Sequence, residues 1–514
     1  MNVIELQNIN YVRDGMNHPL QDIQLTVRQG ELVYLKGENG EGKSTLIDFI
    51  LGIREPDSGE VTVWGYPPGE LKSRFLTGVI LQKLNSPIRN AQLGSLIDLI
   101  ESHYPEAQGR VTSIFKDFDF HPLRDKNKKC LLSVGEEKLL FIAFAQAVSP
   151  KLLILDEPTT GLDAQDREEK KSRRTIFRDQ IKNFVERGNT VLLVSQDPDA
   201  DTFFHPTRTL LLKNGRINEA TENNVSSPEM SGTDKLDLIS FNKVGISHWI
   251  YLLFKHVCFN IQQTFQSDQK YILLTFIASV LWAICISFAA KMGSSEDSSN
   301  LSTIANAYSF YLAMTAANST GNIIAEERQN EILVKLLKIL PLPPIIYLSA
   351  KVIASLLITS LLVLTMLVTT LICNVLSPSI FPSLSMGLIL GSIPYLFLGL
   401  ALGYFLEKPK TIQIAALMCS LTLAIPVFAR PMLKVIASVF AIPGKLDIAA
   451  LVGDNIAAHS PIYHYIQLIL CLGKAPECDQ YHLLHFIWLA WFTFISSIVA
   501  LWAYSRTIKK EAKA

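Results

Sequence analysis

Residues with the right types and spacing for phosphate chemistry lie early in the chain, in Gly37-Glu38-Asn39-Gly40-Glu41-Gly42-Lys43-Ser44-Thr45. The glycines fall where a loop must curl until its backbone N–H groups point inward at a β-phosphate, an approach that side chains would block. Lys43 would reach the β- and γ-oxygens, Ser44 would ligate Mg²⁺, and a helix starting here would add its positive dipole end. Gly37, Glu38, Asn39, Gly40, Gly42, Lys43, Ser44 and Thr45 are thus the candidate phosphate contacts. In isolation this could be a glycine-rich turn that binds nothing. Its setting argues otherwise, because the apolar strand Leu32-Val33-Tyr34-Leu35 precedes it and an apolar run with helical spacing follows. A second chemical feature is Leu152-Leu153-Ile154-Leu155-Asp156-Glu157, which has the form of a buried parallel strand with two carboxylates at its C-terminal end. In open α/β sheets that end is where ligands bind.

Holding those groups together requires a sheet with helices around it, and the first half of the chain reads that way. Short alternating runs over residues 3–27 predict antiparallel strands, and Gly59-Glu60-Val61-Thr62-Val63-Trp64-Gly65 continues the pattern. Gly78-Val79-Ile80-Leu81-Gln82 predicts a buried strand ending in a glutamine. A helical region covers 93–120, and a strongly apolar helix opens near Ser133-Val134-Gly135-Glu136. With 514 residues, more than one core is expected. The hydrophobic fraction of 49% averages two unlike halves, an alternating charged half up to about residue 245 and a mostly apolar one from 271 to 505. Lys+Arg and Asp+Glu both total 47, so charge gives no sign of a nucleic-acid partner and none is expected. The start of the chain has no basic stretch leading into an apolar one, which predicts no cleaved signal peptide and a cytosolic first half.

With these motifs in this order, residues 1–218 resemble the nucleotide-binding domain of an ABC transporter. The resemblance makes 37–44 the Walker A loop, Gln82 the Q-loop glutamine, Ser133 to Glu136 the signature, Asp156-Glu157 the end of Walker B and Gly161-Leu162-Asp163 the D-loop. Tyr11 matches the aromatic that stacks on adenine. The cofactors so implied are ATP and Mg²⁺. Asp156 would hold Mg²⁺ through its waters, Glu157 would polarise the attacking water, and Gln82 would bond that water or the metal. Ser133 and Gly135 would touch the γ-phosphate of a second copy's site, with Asp163 beside them, so dimerisation is implied.

Two positions depart from the family pattern. Gln196, after the strand Thr190-Val191-Leu192-Leu193-Val194-Ser195, stands where a switch histidine is usual, and it can donate to the γ-phosphate without becoming cationic. The signature carries Val134 and Glu136 in place of glycine and glutamine. Slow hydrolysis is expected. In a heterodimer the two defects would fall in different sites, which favours a homodimer.

Past residue 218 the chain turns polar, predicting a linker at 219–245 and an interfacial connecting helix at 246–269. A bilayer crossing needs about 20 apolar residues. Such stretches lie at 271–290, 303–324, 345–374, 384–406, 411–430 and 483–505, giving an all-α six-span permease over 270–514. Flanking cations such as Lys270, Arg328, Lys335, Lys408 and Arg506 place both termini in the cytoplasm. Between the second and third stretches, 325–337 reads as a short amphipathic helix. It resembles the coupling loop of drug, polysaccharide and lipid exporters, including the fused half-transporters of the white subfamily. Asn318 and Asn322, one turn apart in the polar second stretch, could line a substrate path or form packing hydrogen bonds. A long external segment is expected at about 443–482, where Cys471 and Cys478 either form a disulfide or stay free.

The fold class expected is therefore an α/β P-loop ATPase followed by six transmembrane helices. The function expected is ATP-driven export of a drug, lipid, glycan or peptide as a dimer in a bacterial inner membrane. The partners would be a second half-transporter, membrane lipid and an unidentified substrate. A membrane ATPase for mechanical signalling or lipid movement is the alternative.

Overall fold

The computed structural model describes residues 1–12, 18–68, 76–80, 150–159, 172–197, 199–222, 246–267, 269–293, 297–329, 342–406, 410–423, 460–473 and 482–513, with short pieces at 70, 73, 98–99, 101–103, 113, 142, 145, 162 and 408. The chain forms two compact units. The first is built on Met1–Phe259 and the second on Asn260–Gln329 with Leu348–Ile508.

In the first unit, β1 (Asn2–Tyr11), β2 (Leu20–Arg28) and β4 (Ser58–Val63) make an antiparallel sheet with β1 in the middle. A second sheet has the order β5-β6-β7-β3-β8-β9, from β3 (Leu32–Lys36), β5 (Thr77–Ile80), β6 (Leu152–Asp156), β7 (Thr190–Ser195), β8 (Arg208–Lys213) and β9 (Arg216–Glu222). Its strands from β5 to β8 run parallel, and β6 and β7 are buried along their whole length. That burial is why they read as unbroken apolar runs, with no polar alternation to mark a solvent face. β8 and β9 form a hairpin through Asn214 (φ 53°) and Gly215 (φ 71°), the left-handed pair a two-residue turn demands. β9 continues to Glu222, beyond the boundary expected at 218, because this hairpin pairs residues the polar composition assigns to a linker. Helix α1 (Lys43–Ile50) follows β3, α2 (Arg173–Glu186) precedes β7, α3 (Ala200–Phe204) follows it, and the connecting helix α4 spans Ile246–Ser267.

The second unit contains α5 (Gln269–Gly293), α6 (Asp297–Gln329), α7 (Pro344–Ile372), α8 (Phe381–Phe405), α9 (Lys410–Leu423), α10 (Pro461–Leu472) and α11 (His482–Lys513). Among the described residues four helices are long and apolar enough to cross a bilayer: Leu273–Met292, Pro344–Ile372, Pro378–Phe405 and Leu483–Thr507. These coincide with four of the six expected stretches. The expected span at 303–324 lies in α6, which has the length but carries polar side chains throughout. The one at 411–430 is described only as far as Leu423.

Two expectations for this half change. Residues 325–329 continue α6 and start no separate helix. Nothing there breaks the helix, and its charged side chains find partners: Glu327 pairs with the buried Lys351, and Arg328 donates to the carbonyls of Gly403 and Tyr404. The rest of the expected coupling helix, 330–337, lies outside the described residues. The expected external segment contains α10, whose Ile462, Tyr465, Ile466 and Ile469 are buried, Tyr465 donating to the carbonyl of Leu388. Cys471 is disulfide-bonded, while Cys478 lies outside the described residues. The polar residues of α6 largely turn back on the helix itself: Asn306, Thr315, Ser319 and Thr320 each donate to a carbonyl three or four residues earlier. Such bonds satisfy polar groups within a single helix.

Candidate nucleotide site

Lys36 pairs with Ser195 across β3 and β7, and Asp156 pairs with Val194 across β6 and β7. The C-terminal ends of three adjacent parallel strands therefore share one sheet edge, and each delivers a predicted site residue there. β3 leads into 37–44. Gly40 (φ 87°) and Gly42 (φ 101°) adopt left-handed backbone that a side chain would strain. Gly37 is needed for a different reason, since a Cβ there would lie 2.8 Å from the carbonyl oxygen of Leu212. Lys43 folds back over its own loop, its Nζ donating to the carbonyls of Gly37 (2.7 Å) and Glu38 (2.8 Å). Burial pushes its ammonium below the ordinary lysine value, against the opposing pull of Glu157 and then Asp156. Two carbonyls of its own loop thus occupy the cation.

β6 ends in Asp156 and Glu157, both 5% exposed. Ser44 Oγ donates to Asp156 Oδ2 at 3.4 Å, joining the loop to the strand end. Glu157 has φ 49°, uncommon for a residue with a side chain and a conformation that concentrates at functional sites. Its N–H donates to the Val194 carbonyl, and its carboxylate turns towards the end of β7. Oε2 accepts from Ser195 Oγ at 2.8 Å and Oε1 from the Gln196 N–H at 2.7 Å. Gln196 therefore touches Glu157 through its backbone, while its side chain is exposed.

Tyr11 is placed differently from the expectation. Its ring is 2% exposed and lies edge-on to Phe49 of α1 at 5.1 Å, with the hydroxyl accepting from Arg54 at 2.6 Å. A ring clamped between the antiparallel sheet and α1 offers no face to adenine, so Tyr11 is a packing residue. Gln82, Ser133, Gly135 and Asp163 lie outside the described residues. The sequence reading missed Ser195 and Tyr34. Both carried a signal, a hydroxyl closing the apolar run of β7 and a tyrosine in an otherwise aliphatic strand.

Comparison with known proteins places both halves of the chain among transporter sequences. The ABC transporter family profile matches residues 20–160, and that of the ABC-2 family transporter protein matches 179–502. The energy-coupling factor transporter ATP-binding protein EcfA3 of Clostridium perfringens is 29% identical over 224 residues, covering 42% of this chain and 76% of its own. EcfA2 of Symbiobacterium thermophilum is 31% identical over 216 residues, 38% of this chain and 69% of its own. A dimeric, post-hydrolysis structure of the ATP-binding cassette MJ0796 with ADP and Pi has 23% identity and a TM-score of 0.37, over 43% of this chain and 99% of that one. With an ATP-binding cassette in front and a permease profile spanning most of the remainder, the chain belongs to the ABC-2 family transporter proteins, as a multi-pass membrane protein that couples ATP to transport.

Proposed function

We propose that this chain is a half-transporter that exports its substrate as a homodimer. ATP would close two copies of the first unit on each other, with Ser133 and Gly135 of one copy completing the Walker site of the other and Asp163 beside them. The motion would reach the membrane helices through the segment following α6. The observation that carries the reading is the convergence of Lys43, Ser44, Asp156 and Glu157 on one sheet edge, with the switch strand gripping Glu157.

In this reading Lys43 exchanges its two carbonyls for β- and γ-oxygens, and Glu157 orients and polarises the attacking water. Mg²⁺ fits the donors present, since Ser44 and Asp156 offer hard oxygens at the loop mouth. Ser44 would bind it directly and Asp156 through a water, with Gln82 as a further ligand, and the ion would neutralise charge on the phosphates. Gln196 would contact the γ-phosphate as an uncharged donor, giving slow turnover. The domain limits, 1–218 extended to the end of β9, a linker to 245, the connecting helix and a six-span permease to 514, belong to the same proposal, as does a bacterial inner membrane.

The test is ATP hydrolysis by the full chain in liposomes. Glu157→Gln is expected to cut turnover by at least about a thousandfold while ATP still binds. Gln196→His is expected to leave the protein active. Unchanged turnover in Glu157→Gln would remove its role. Adding drugs, lipids, glycans and peptides to the same assay sorts the substrate class, and a flat response to all of them would favour mechanical work over export.

A further inference from the structure

We propose that Ser195 is a positioning residue for ATP hydrolysis, aiming the Glu157 carboxylate through a hydroxyl whose single proton has one acceptor among the described residues. The inference rests on Glu157 acting on the attacking water.

A serine hydroxyl has one proton and two lone pairs. Ser195 Oγ accepts the N–H of Asp197 at 3.1 Å, so that side of the oxygen is engaged. Its proton then points at Glu157 Oε2, 2.8 Å away, and Ser195 is 2% exposed, which keeps water from competing. The neighbouring N–H of Gln196 holds Oε1, so consecutive residues fix both carboxylate oxygens. A hydrogen bond to an ionised acceptor is among the stronger ones, and two of them define a plane. The exposed glutamine side chain cannot attract Glu157 by charge, so the hydroxyl and the backbone carry the orientation in this chain.

The turn that carries these donors is itself tied down. The Tyr34 hydroxyl shares its one proton between the carbonyls of Ser195 (3.1 Å) and Asp197 (3.0 Å). Burial, and next the charge of Asp201, hold that phenol well above its ordinary range, so it stays a donor. Tyr34 belongs to β3, the strand that feeds the Lys43 loop. The phosphate loop and the carboxylate that faces it are thus linked through one tyrosine and one serine.

The experiment is steady-state hydrolysis by the full chain in liposomes, with Ser195→Ala, Ser195→Thr, Glu157→Gln and the Ser195→Ala, Glu157→Gln double variant. Fluorescent-nucleotide binding is measured on each to register folding. Misplacing a reacting group by about an ångström costs on the order of a hundredfold, so Ser195→Ala is expected to lower kcat by about ten- to a hundredfold. Its KM for ATP should stay within about twofold, Ser195→Thr should recover most of the rate, and the double variant should be no slower than Glu157→Gln. Wild-type kcat in Ser195→Ala beside an inactive Glu157→Gln would overturn this inference alone. So would a loss that raises KM in step and that threonine does not rescue, the pattern of a merely structural residue. Full activity in Glu157→Gln would instead sink the parent reading and this one with it.

Discussion

The sheet edge around Lys43 and the contact between α6 and α8 both depend on glycine, and they use it for opposite purposes. At the sheet edge, Gly40 and Gly42 supply left-handed backbone that a side chain would strain, and the polar side chains nearby hydrogen-bond across the strand ends. In the second unit, Gly399 has helical backbone, but a Cβ on it would lie 2.1 Å from the Ala317 carbonyl oxygen, and one on Gly403 would lie 2.9 Å from Ile324 Cβ. Here the missing side chain lets one helix lie on another, and Asn306, Thr315, Ser319 and Thr320 turn to carbonyls of their own helix. Catalysis needs particular residues at particular spacings, whereas packing in lipid needs only smallness and satisfied hydrogen bonds. The first half therefore declares its chemistry, and the second declares only its environment.

The comparison breaks most visibly if the polar pair in the second unit proves dispensable. Lys351 and Glu327 form an ion pair between α7 and α6 with side chains 1% and 7% exposed. Removing one partner of a buried pair leaves the other charge uncompensated, at a cost of about 3–5 kcal/mol, while replacing both is often neutral. Lys351→Met is expected to abolish monodisperse protein or lower its melting temperature sharply in detergent. Adding Glu327→Gln should restore much of the loss, and a single variant as stable as wild type would show that the pair contributes nothing.

A smaller effect is expected at the helix contact. Gly399→Ala adds one methyl group where the neighbouring backbone stands, and overpacking of this kind costs about 1–3 kcal/mol. Melting temperature should fall while nucleotide affinity of the first unit is retained. If affinity falls in proportion, glycine is not being used differently in the two halves.

What the residues disclosed follows the same division. The P-loop, the carboxylate pair, the buried strands and the switch strand were legible because ligand chemistry and parallel-sheet burial leave few alternatives. Tyr11 misled because β1 is irregular. Asn8 sits at φ 52° and the pairing with β2 slips on either side of Ile9, so two-residue alternation no longer tells which way Tyr11 faces. α10 was overlooked because it is too short to span a membrane. Its Ile462, Tyr465, Ile466 and Ile469 nonetheless recur at three- and four-residue spacing, the signal of a helix with one buried face. The end of α6 was misplaced because the charges of Glu327 and Arg328 read as solvent exposure, when each has a partner inside the helical unit.

The smallest expected effect concerns a polar contact inside the first unit, between residues 101–103 and the connecting helix α4. His103 Nδ1 lies 2.8 Å from the Leu99 carbonyl, which can only accept, so that nitrogen carries a proton. In the neutral ring Nε2 is then an acceptor, and His256 Nε2 at 3.1 Å must be the donor, the two rings standing edge to face. Burial pushes His103 down to about 4 from 6.5; the Leu99 carbonyl opposes the shift and His248 on α4 adds to it. Because the folded value lies below the unfolded one, the unfolded chain takes up a proton near pH 6.5 that the folded chain refuses until about 4. The contribution is whole above pH 6.5 and is lost progressively as pH falls towards 4, where a second proton would set two N–H groups against each other. Loss of nucleotide binding on heating should therefore come earlier at pH 5 than at pH 7. His103→Gln, which keeps an N–H for Leu99 and an oxygen for His256 but has no proton to gain, should flatten that acid limb. Parallel acid limbs in wild type and variant would assign the sensitivity to other groups, and the buried polar contacts of the two units would then differ in charge alone.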